Sequence, residues 1–195
     1  MIAQLYGRIL EKLPTRILLE VHGVGYEVAI PLSTFEQLGA AGESATLLTH
    51  LHVREDALQL FGFATRKEKQ LFQLLLAVNG VGPKLAQGIL SGCEVEMFCQ
   101  HIRQNATDAL TAIPGVGKKT AERLVVELRD RIAPLLEETD KANVSGAARA
   151  SEEALLALVS LGYPRANAEK ALRQVLAEHG ELAIEELIKH TLRQL

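Results

Sequence analysis

The chain has no tryptophan, and its aromatic content is only 4%. That scarcity argues against a row of rings on which unpaired bases would stack. It argues equally against an aromatic-lined pocket for an extruded base. Cysteine occurs only at Cys93 and Cys99. Their number and spacing suit neither a disulfide framework nor a metal site, so both are expected to be reduced, mostly buried thiols. No apolar run approaches 18 residues, which excludes a membrane-spanning helix by length. The opening segment, Met1-Ile2-Ala3-Gln4-Leu5-Tyr6-Gly7-Arg8, lacks the basic-then-apolar order of a signal peptide, and a cytoplasmic protein is expected. Nor is there an overall excess of positive charge, since 21 Lys/Arg stand against 24 Asp/Glu.

What is present is an ordinary globular composition, 48% hydrophobic and 23% charged over 195 residues. That length permits one large domain or two to three small ones. The charge is unevenly spread. Residues 1–64 hold 4 Lys/Arg against 7 Asp/Glu, residues 65–133 hold 10 against 7, and residues 134–195 hold 7 against 10. Positive charge therefore gathers in the middle third, as a localised phosphate-binding face requires.

The same third contains a repeat. Leu75–Leu90 slid by 35 residues onto Leu110–Val125 gives 7 identities in 16 positions, among them Gly80-Val81-Gly82 over Gly115-Val116-Gly117 and Lys84 over Lys119. Internal repeats take precedence in reading a chain. Each copy reads as helix, tight hairpin, helix. Ala77-Val78 and Ala112-Ile113 end an apolar helical run, and a glycine then takes the left-handed conformation that side chains disfavour. The second glycine admits a foreign backbone. Pro83 and Lys118 open the next helix, where proline sacrifices no helical hydrogen bond. The amides of the Val-Gly pair and of the residue after it are expected to point outward at the positive end of a helix, which makes an anion site. Lys84, Lys118, Lys119 and Arg123 add mobile positive charge. With no basic recognition helix beside either hairpin, the anion is read as a phosphodiester backbone, and sequence-independent DNA binding is the expectation.

Around this core, residues 1–64 read as five strands: Ile2–Leu10, Arg16–Val21, Tyr26–Ile30, Ala45–Val53 and Leu58–Phe63. Gly23-Val24-Gly25-Tyr26 marks a hairpin or bulge, and Ser33-Thr34-Phe35-Glu36 reads as a capping box opening one short helix. Five strands with one helix suggest an OB-type Greek-key barrel. His50 and His52 share a strand face but lack a third ligand, so they read as polar surface histidines. Arg54-Glu55-Asp56 forms a polar turn between the last two strands. The helical middle is expected at Arg66–Val78, Pro83–Ser91, Glu94–Gln104 and Lys118–Arg131, with Thr107-Asp108 offering a further start. Residues 134–150 lose hydrophobic periodicity and read as a flexible tether, with ends roughly 20–25 Å apart as a random coil. Ser151–Leu161, Arg165–Glu178 and Ala183–Leu195 then make a small three-helix, UBA-like bundle over residues 151–195, with an acidic surface suited to binding protein. The fold class is thus multidomain α+β: barrel (1–64), tandem helix-hairpin-helix domain (65–133), linker and bundle.

Several segments together carry a family resemblance. They are Gly23-Val24-Gly25-Tyr26, Thr49-His50, Val53-Arg54-Glu55-Asp56-Ala57, Phe61-Gly62-Phe63, Asn79-Gly80-Val81-Gly82-Pro83-Lys84-Leu85-Ala86, Gly115-Val116-Gly117-Lys118-Lys119-Thr120-Ala121-Glu122-Arg123-Leu124 and Ala157-Leu158-Val159-Ser160-Leu161-Gly162-Tyr163. The chain resembles the RuvA family, the Holliday-junction-binding subunits of bacterial branch-migration complexes, along nearly its whole length. The resemblance implies a homotetramer holding a four-way junction open as a flat square, in one tetramer or sandwiched by two. It implies roles in recombination, DNA repair and the SOS response to DNA damage. Both hairpins would grip each arm through Asn79, Gly80, Val81, Gly82, Lys84, Gly115, Val116, Gly117, Lys118, Lys119, Thr120 and Arg123. Glu55 and Asp56, flanked by Arg54, would meet near the centre as an acidic pin. Carboxylates repel phosphates there, so continuous duplex is disfavoured while separated strands are steered. The resemblance further implies that the bundle holds the RuvB motor ATPase, through Leu158, Leu161, Gly162 and Tyr163, and that the resolvase RuvC is another partner.

No engine and no cofactor is expected in the chain itself. Gly117-Lys118 is similar to a phosphate-binding loop, but Ala112 stands where its first glycine belongs and Lys119 where Ser or Thr should follow. Two other readings stand beside this one. A helix-hairpin-helix glycosylase would use Lys118 or Lys119 as a Schiff-base amine with Asp130 as helper. A general nucleic-acid tether would use the barrel for single strands.

Overall fold

The computed structural model describes residues 1–55, 57–133, 135, 146–180 and 182–195. It divides into two compact units, Met1–Glu138 and Thr139–Leu195.

The first unit begins with five strands: β1 (Gln4–Leu13), β2 (Arg16–Val21), β3 (Val24–Ala29), β4 (Ser44–Val53) and β5 (Leu58–Phe63). They close into a barrel in the order β1-β2-β3-β5-β4, antiparallel except where β3 meets β5 at Ala29 and Phe61. That single parallel pairing closes a Greek-key barrel of the OB type. Alternation builds the interior: Leu5, Ile9, Ile17, Leu19, Val28 and Leu47 all point inward and are buried. A bulge between Ile9 and Glu11 breaks the register of β1 and turns Leu10 to solvent. Gly23-Val24-Gly25-Tyr26 resolves into a hairpin: His22 and Gly23 take φ of 50° and 86° at the turn, and Val24 already opens β3.

The short helix α1 (Leu32–Gln37) has no side-chain cap, contrary to the capping box expected at Ser33-Thr34-Phe35-Glu36. The Ser33 and Thr34 hydroxyls donate instead to Glu68, at the start of α2 (Arg66–Leu76). A true capping box lies there, with the Glu68 amide donating to Thr65 Oγ1 and the Thr65 amide donating to Glu68. Glu68 is only 3% exposed, yet four donors from Ser33, Thr34 and Thr65 satisfy its carboxylate. The local signal at Ser33 was outcompeted by a partner 35 residues away.

Helices α3 (Pro83–Gly92), α4 (Val95–Arg103), α5 (Thr107–Thr111) and α6 (Lys118–Leu128) complete the unit. Their core is continuous with one face of β5. Phe61 and Phe63 stand 5.0 and 4.9 Å from the ring of Phe72 on α2. Gln87 of α3 donates to the Ile30 and Thr15 carbonyls, and the Leu32 amide donates to Ser91 Oγ. Barrel and helices thus form one packed body.

The second unit contains α7 (Gly146–Ser160), α8 (Arg165–His179) and α9 (Ile184–Leu192), around Ala154, Leu158, Ala168, Leu172, Val175 and Leu187. Helix α7 starts five residues before the expected Ser151, inside the segment read as tether. The Ala-Ala-Arg-Ala run of 147–150 consists of strong helix formers, which outweigh the lost hydrophobic periodicity. Most of that tether, residues 134 and 136–145, lies outside the described residues.

Candidate nucleic-acid interface

The two hairpins adopt the same turn. Gly80 has φ of +85° and Gly115 of +87°, the left-handed region that only glycine enters without strain. The residue after each, Val81 or Val116, drives its side chain into the helical core, where it is 6% or 4% exposed. Gly82 and Gly117 follow as extended N-caps of α3 and α6, with φ of −91° and −82°. A β-carbon on either would meet nothing within 4 Å, so both positions face open space.

Outward-pointing Val81 and Val116 amides do not occur. The Val81 amide donates to the Val78 carbonyl at 3.1 Å, and Val116 to Ile113 at 3.0 Å. These bonds close the turns. Both valines serve as plugs under the hairpin, an inward role that their β-branched apolar side chains signalled. The free donors lie one step further on. Among the described residues, the amides of Gly82, Lys84 and Leu85 have no acceptor, nor do those of Gly117, Lys118, Lys119 and Thr120. Pro83, the residue after Gly82, has no amide hydrogen to offer. Each set sits at the positive end of a helix of 10 or 11 residues. Lys84, Lys118 and Lys119 are exposed beside them, as is Asn79, while Thr120 is half-buried. No residue of the described chain pairs with these three lysines. The arrangement presents main-chain donors flanked by ammonium groups, which suits a phosphate oxygen.

Arg123 behaves differently from the lysines. Its Nη1 donates to the Asn79 carbonyl at 2.7 Å, and its Nε lies 4.0 Å from Glu127. The expected free charge on α6 is therefore tied to the first hairpin.

Across the barrel, Arg54 and Glu55 are exposed at the tip joining β4 to β5, which the Arg54 amide closes on the Ala57 carbonyl at 2.9 Å. Asp56 lies outside the described residues. Arg54 Nε donates to His52 Nε2 at 3.0 Å, which holds the guanidinium back along the strand. His50 is half-buried against Phe72, at 5.5 Å, rather than free on the surface. Burial first, then His52 and Lys69 nearby, hold its pKa below the ordinary histidine value. Among the described residues no group of three His, Cys, Asp or Glu converges. Cys99 is buried in the core with its thiol pushed up to about 11, chiefly by burial, and Cys93 is raised for the same reason.

In the bundle, Leu158 is 0% exposed and belongs to the core, so it cannot reach a partner. Leu161 is 63% exposed, Gly162 is exposed with φ of +98°, and Tyr163 is half-buried. Leu156 and Val159, which the sequence reading did not single out, add to the exposed apolar surface of α7. The helical phase could have found them, because both lie well off the face shared by the buried Ala154 and Leu158.

The lysine–carboxylate pair of the glycosylase reading, Lys118 or Lys119 with Asp130, is not brought together. Lys118 opens α6 and Asp130 lies past its C-terminus, at opposite ends of an 11-residue helix that is about 16 Å long.

Comparison with known proteins gives matches along most of the chain. Residues 1–62 match the RuvA N terminal domain, 72–130 the SAM-like Helix-hairpin-helix tandem, and 149–195 the RuvA, C-terminal domain. A Holliday junction branch migration complex subunit RuvA from Pseudomonas aeruginosa is 45% identical over 203 residues, covering 99% of this chain and 98% of its own. The protein of the same description from Idiomarina loihiensis is 45% identical over 207 residues, covering 100% of both. One from Pseudomonas putida is 44% identical over 203 residues, covering 99% of this chain and 98% of its own. With matched hairpins on a barrel-backed helical domain, and full-length relatives at this identity, the chain belongs to the RuvA family.

Proposed function

We propose that this chain binds four-way DNA junctions without regard to sequence, as a homotetramer, and recruits a RuvB motor ATPase for branch migration. The observation that carries the reading is the pair of hairpins with equal backbone geometry, each offering unpaired amides and lysine at a helix start. Gly82 and Lys84 in one copy, and Gly117, Lys118 and Lys119 in the other, contact phosphates. Asn79, Gly80 and Gly115 shape the turns, Val81 and Val116 support them from below, and Thr120 borders the second site. Contacts of this kind fix position on a duplex but carry no base information.

Junction preference then comes from shape. Four copies of the β4–β5 tip meet near the centre, where Glu55 and Asp56 repel phosphates of any strand running straight across. The chain supplies grip and geometry, and ATP hydrolysis belongs to the motor. The bundle docks that motor through Leu161, Gly162 and Tyr163, just past α7, together with Leu156 and Val159 on it, a partly exposed apolar surface. RuvC acts on the same assembly, with one tetramer or two on the DNA. The protein works in the cytoplasm, in recombination and in repair under the SOS response.

A gel-shift series tests this reading with four-way junction, linear duplex and single strand as targets. Junction is expected to bind tightest, and the Glu55→Gln/Asp56→Asn variant is expected to gain affinity for plain duplex. Preference for single strand over junction would instead favour a barrel-based tether.

A further inference from the structure

The repeat places two contacts in matching positions and fills them with different chemistry. Sliding by 35 residues carries Asn79 onto Pro114 and Gly88 onto Arg123. In the structure these four residues meet in matching pairs. A β-carbon on Gly88 would approach the Pro114 carbonyl at 4.0 Å, while Arg123 donates to the Asn79 carbonyl at 2.7 Å. Each hairpin therefore leans on the helix that follows the other. The first is reached by a guanidinium from α6. The second is met by an apolar group from α3, because Leu85 Cδ1 lies 3.1 Å from the β-carbon position of Gly115.

The guanidinium contact falls at a sensitive place. Asn79 immediately precedes Gly80, whose left-handed backbone sets the direction of the Gly82 and Lys84 amides. Arg123 Nη1 also lies 3.4 Å from the β-carbon position of Gly80. One side chain thus bonds the turn at Asn79 and lies beside the next residue, Gly80. Its other anchor, Glu127, is one helical turn further along α6 and aligns the guanidinium toward the hairpin. A charge-assisted bond to a carbonyl is among the stronger hydrogen bonds a half-exposed group can make.

We propose that Arg123 is a positioning residue for the first hairpin. By holding the Asn79 carbonyl it fixes the first set of phosphate-binding amides relative to the second, so that both sites meet one duplex arm at a set spacing. The second hairpin has the apolar Leu85 beside Gly115 instead of a guanidinium. This inference rests on the hairpins as phosphate sites for its consequence in binding, but the clamp itself exists without DNA.

Hydrogen exchange of the DNA-free full chain tests it. The Val81 amide, bonded to Val78, reports opening of the first hairpin, and the Val116 amide, bonded to Ile113, reports the second. Arg123→Ala is expected to speed exchange at Val81 by about tenfold while leaving Val116 within about twofold of the parent. Lys119→Ala is expected to change neither. In junction binding, Lys119→Ala lowers the slope of log affinity against log salt by about 0.9. Arg123→Ala weakens binding at every salt concentration through the loosened hairpin. If Arg123→Ala fails to fold, Arg123→Lys, which keeps the alkyl stem, is read in the same way with a smaller acceleration at Val81. Unchanged exchange at Val81 overturns the proposal and makes Arg123 at most a direct phosphate contact. Equal acceleration at Val81 and Val116 also overturns it, since that marks general loosening of the domain. Failure of junction binding in the parent chain leaves the exchange result standing and strikes only the functional reading.

Discussion

The first and second hairpins share a backbone and differ in the side chains that charge and support it. Their turn glycines agree to within 2° in φ, their valines are equally buried, and their N-cap glycines both face open space. Behind that shared surface the supports diverge. The first has a proline after its second glycine, one lysine and a polar clamp. The second has its proline before the first glycine, two lysines and an apolar strut. What is held constant between the copies is the backbone conformation and the donors it frees. The difference teaches that the main chain carries the interaction and that side chains supply charge and support, which can be met in more than one way.

Charge is where the comparison breaks most visibly. Replacing Lys118 and Lys119 together by Ala is expected to reduce the salt slope of junction binding by about 1.8, against about 0.9 for Lys84→Ala. Titrations between low and moderate salt give both slopes, and equal losses would show that the second hairpin does not carry the larger electrostatic share. Backbone strain comes next. Gly80→Ala and Gly115→Ala should each destabilise the protein by about 1–2 kcal/mol in urea unfolding, because an L-residue is forced into the left-handed region. Gly115→Ala should be the worse, since its new methyl lies 3.1 Å from Leu85, while that of Gly80 lies 3.4 Å from the Arg123 guanidinium. The reverse ranking would mean that the clamp is stiffer than the strut.

Gly88→Ala sharpens the comparison from the other side. The position lies within α3 and its nearest neighbour would be 4.0 Å away, so the substitution should stabilise the fold by about 0.5–1 kcal/mol. Destabilisation would reveal a closer approach of the second hairpin to α3. The smallest effect concerns the barrel side. His50 is held below its ordinary pKa by burial, His52 and Lys69, so the unfolded chain takes up its proton first as pH falls. Its contribution is complete above the unfolded value and is lost as pH drops through the folded one. Thermal unfolding from about pH 7 to about pH 5 should therefore fall less steeply in His50→Gln than in the parent. Parallel curves would remove His50 from the acid response.

The sequence made the hairpins legible because the repeat supplied an internal control. Two copies of the same glycine pattern fix the turn, its charge and its helix starts. The bounds of β2 and β5 could also be read directly, since alternation and turn residues agree there. What escaped were choices decided at long range. Ser33 and Thr34 look like the start of a capping box, yet their hydroxyls are taken by Glu68 from another helix. Arg123 looks like free charge until the Asn79 carbonyl is brought to it by the packing of α6. Leu158 stands in an apolar run whose inward and outward members only the bundle separates, and the Val81 amide is spent on a bond across its own turn. Each miss is a competition between a local pattern and a partner distant in sequence, or hidden within the turn.

The most direct test of the account is hydrogen exchange across residues 79–85 and 114–120, measured on the full chain with and without a four-way junction. Slowed exchange in both segments, at Gly82 and Lys84 and at Gly117 to Lys119, is the expected result. Unchanged exchange in both segments on a junction that is demonstrably bound would contradict it.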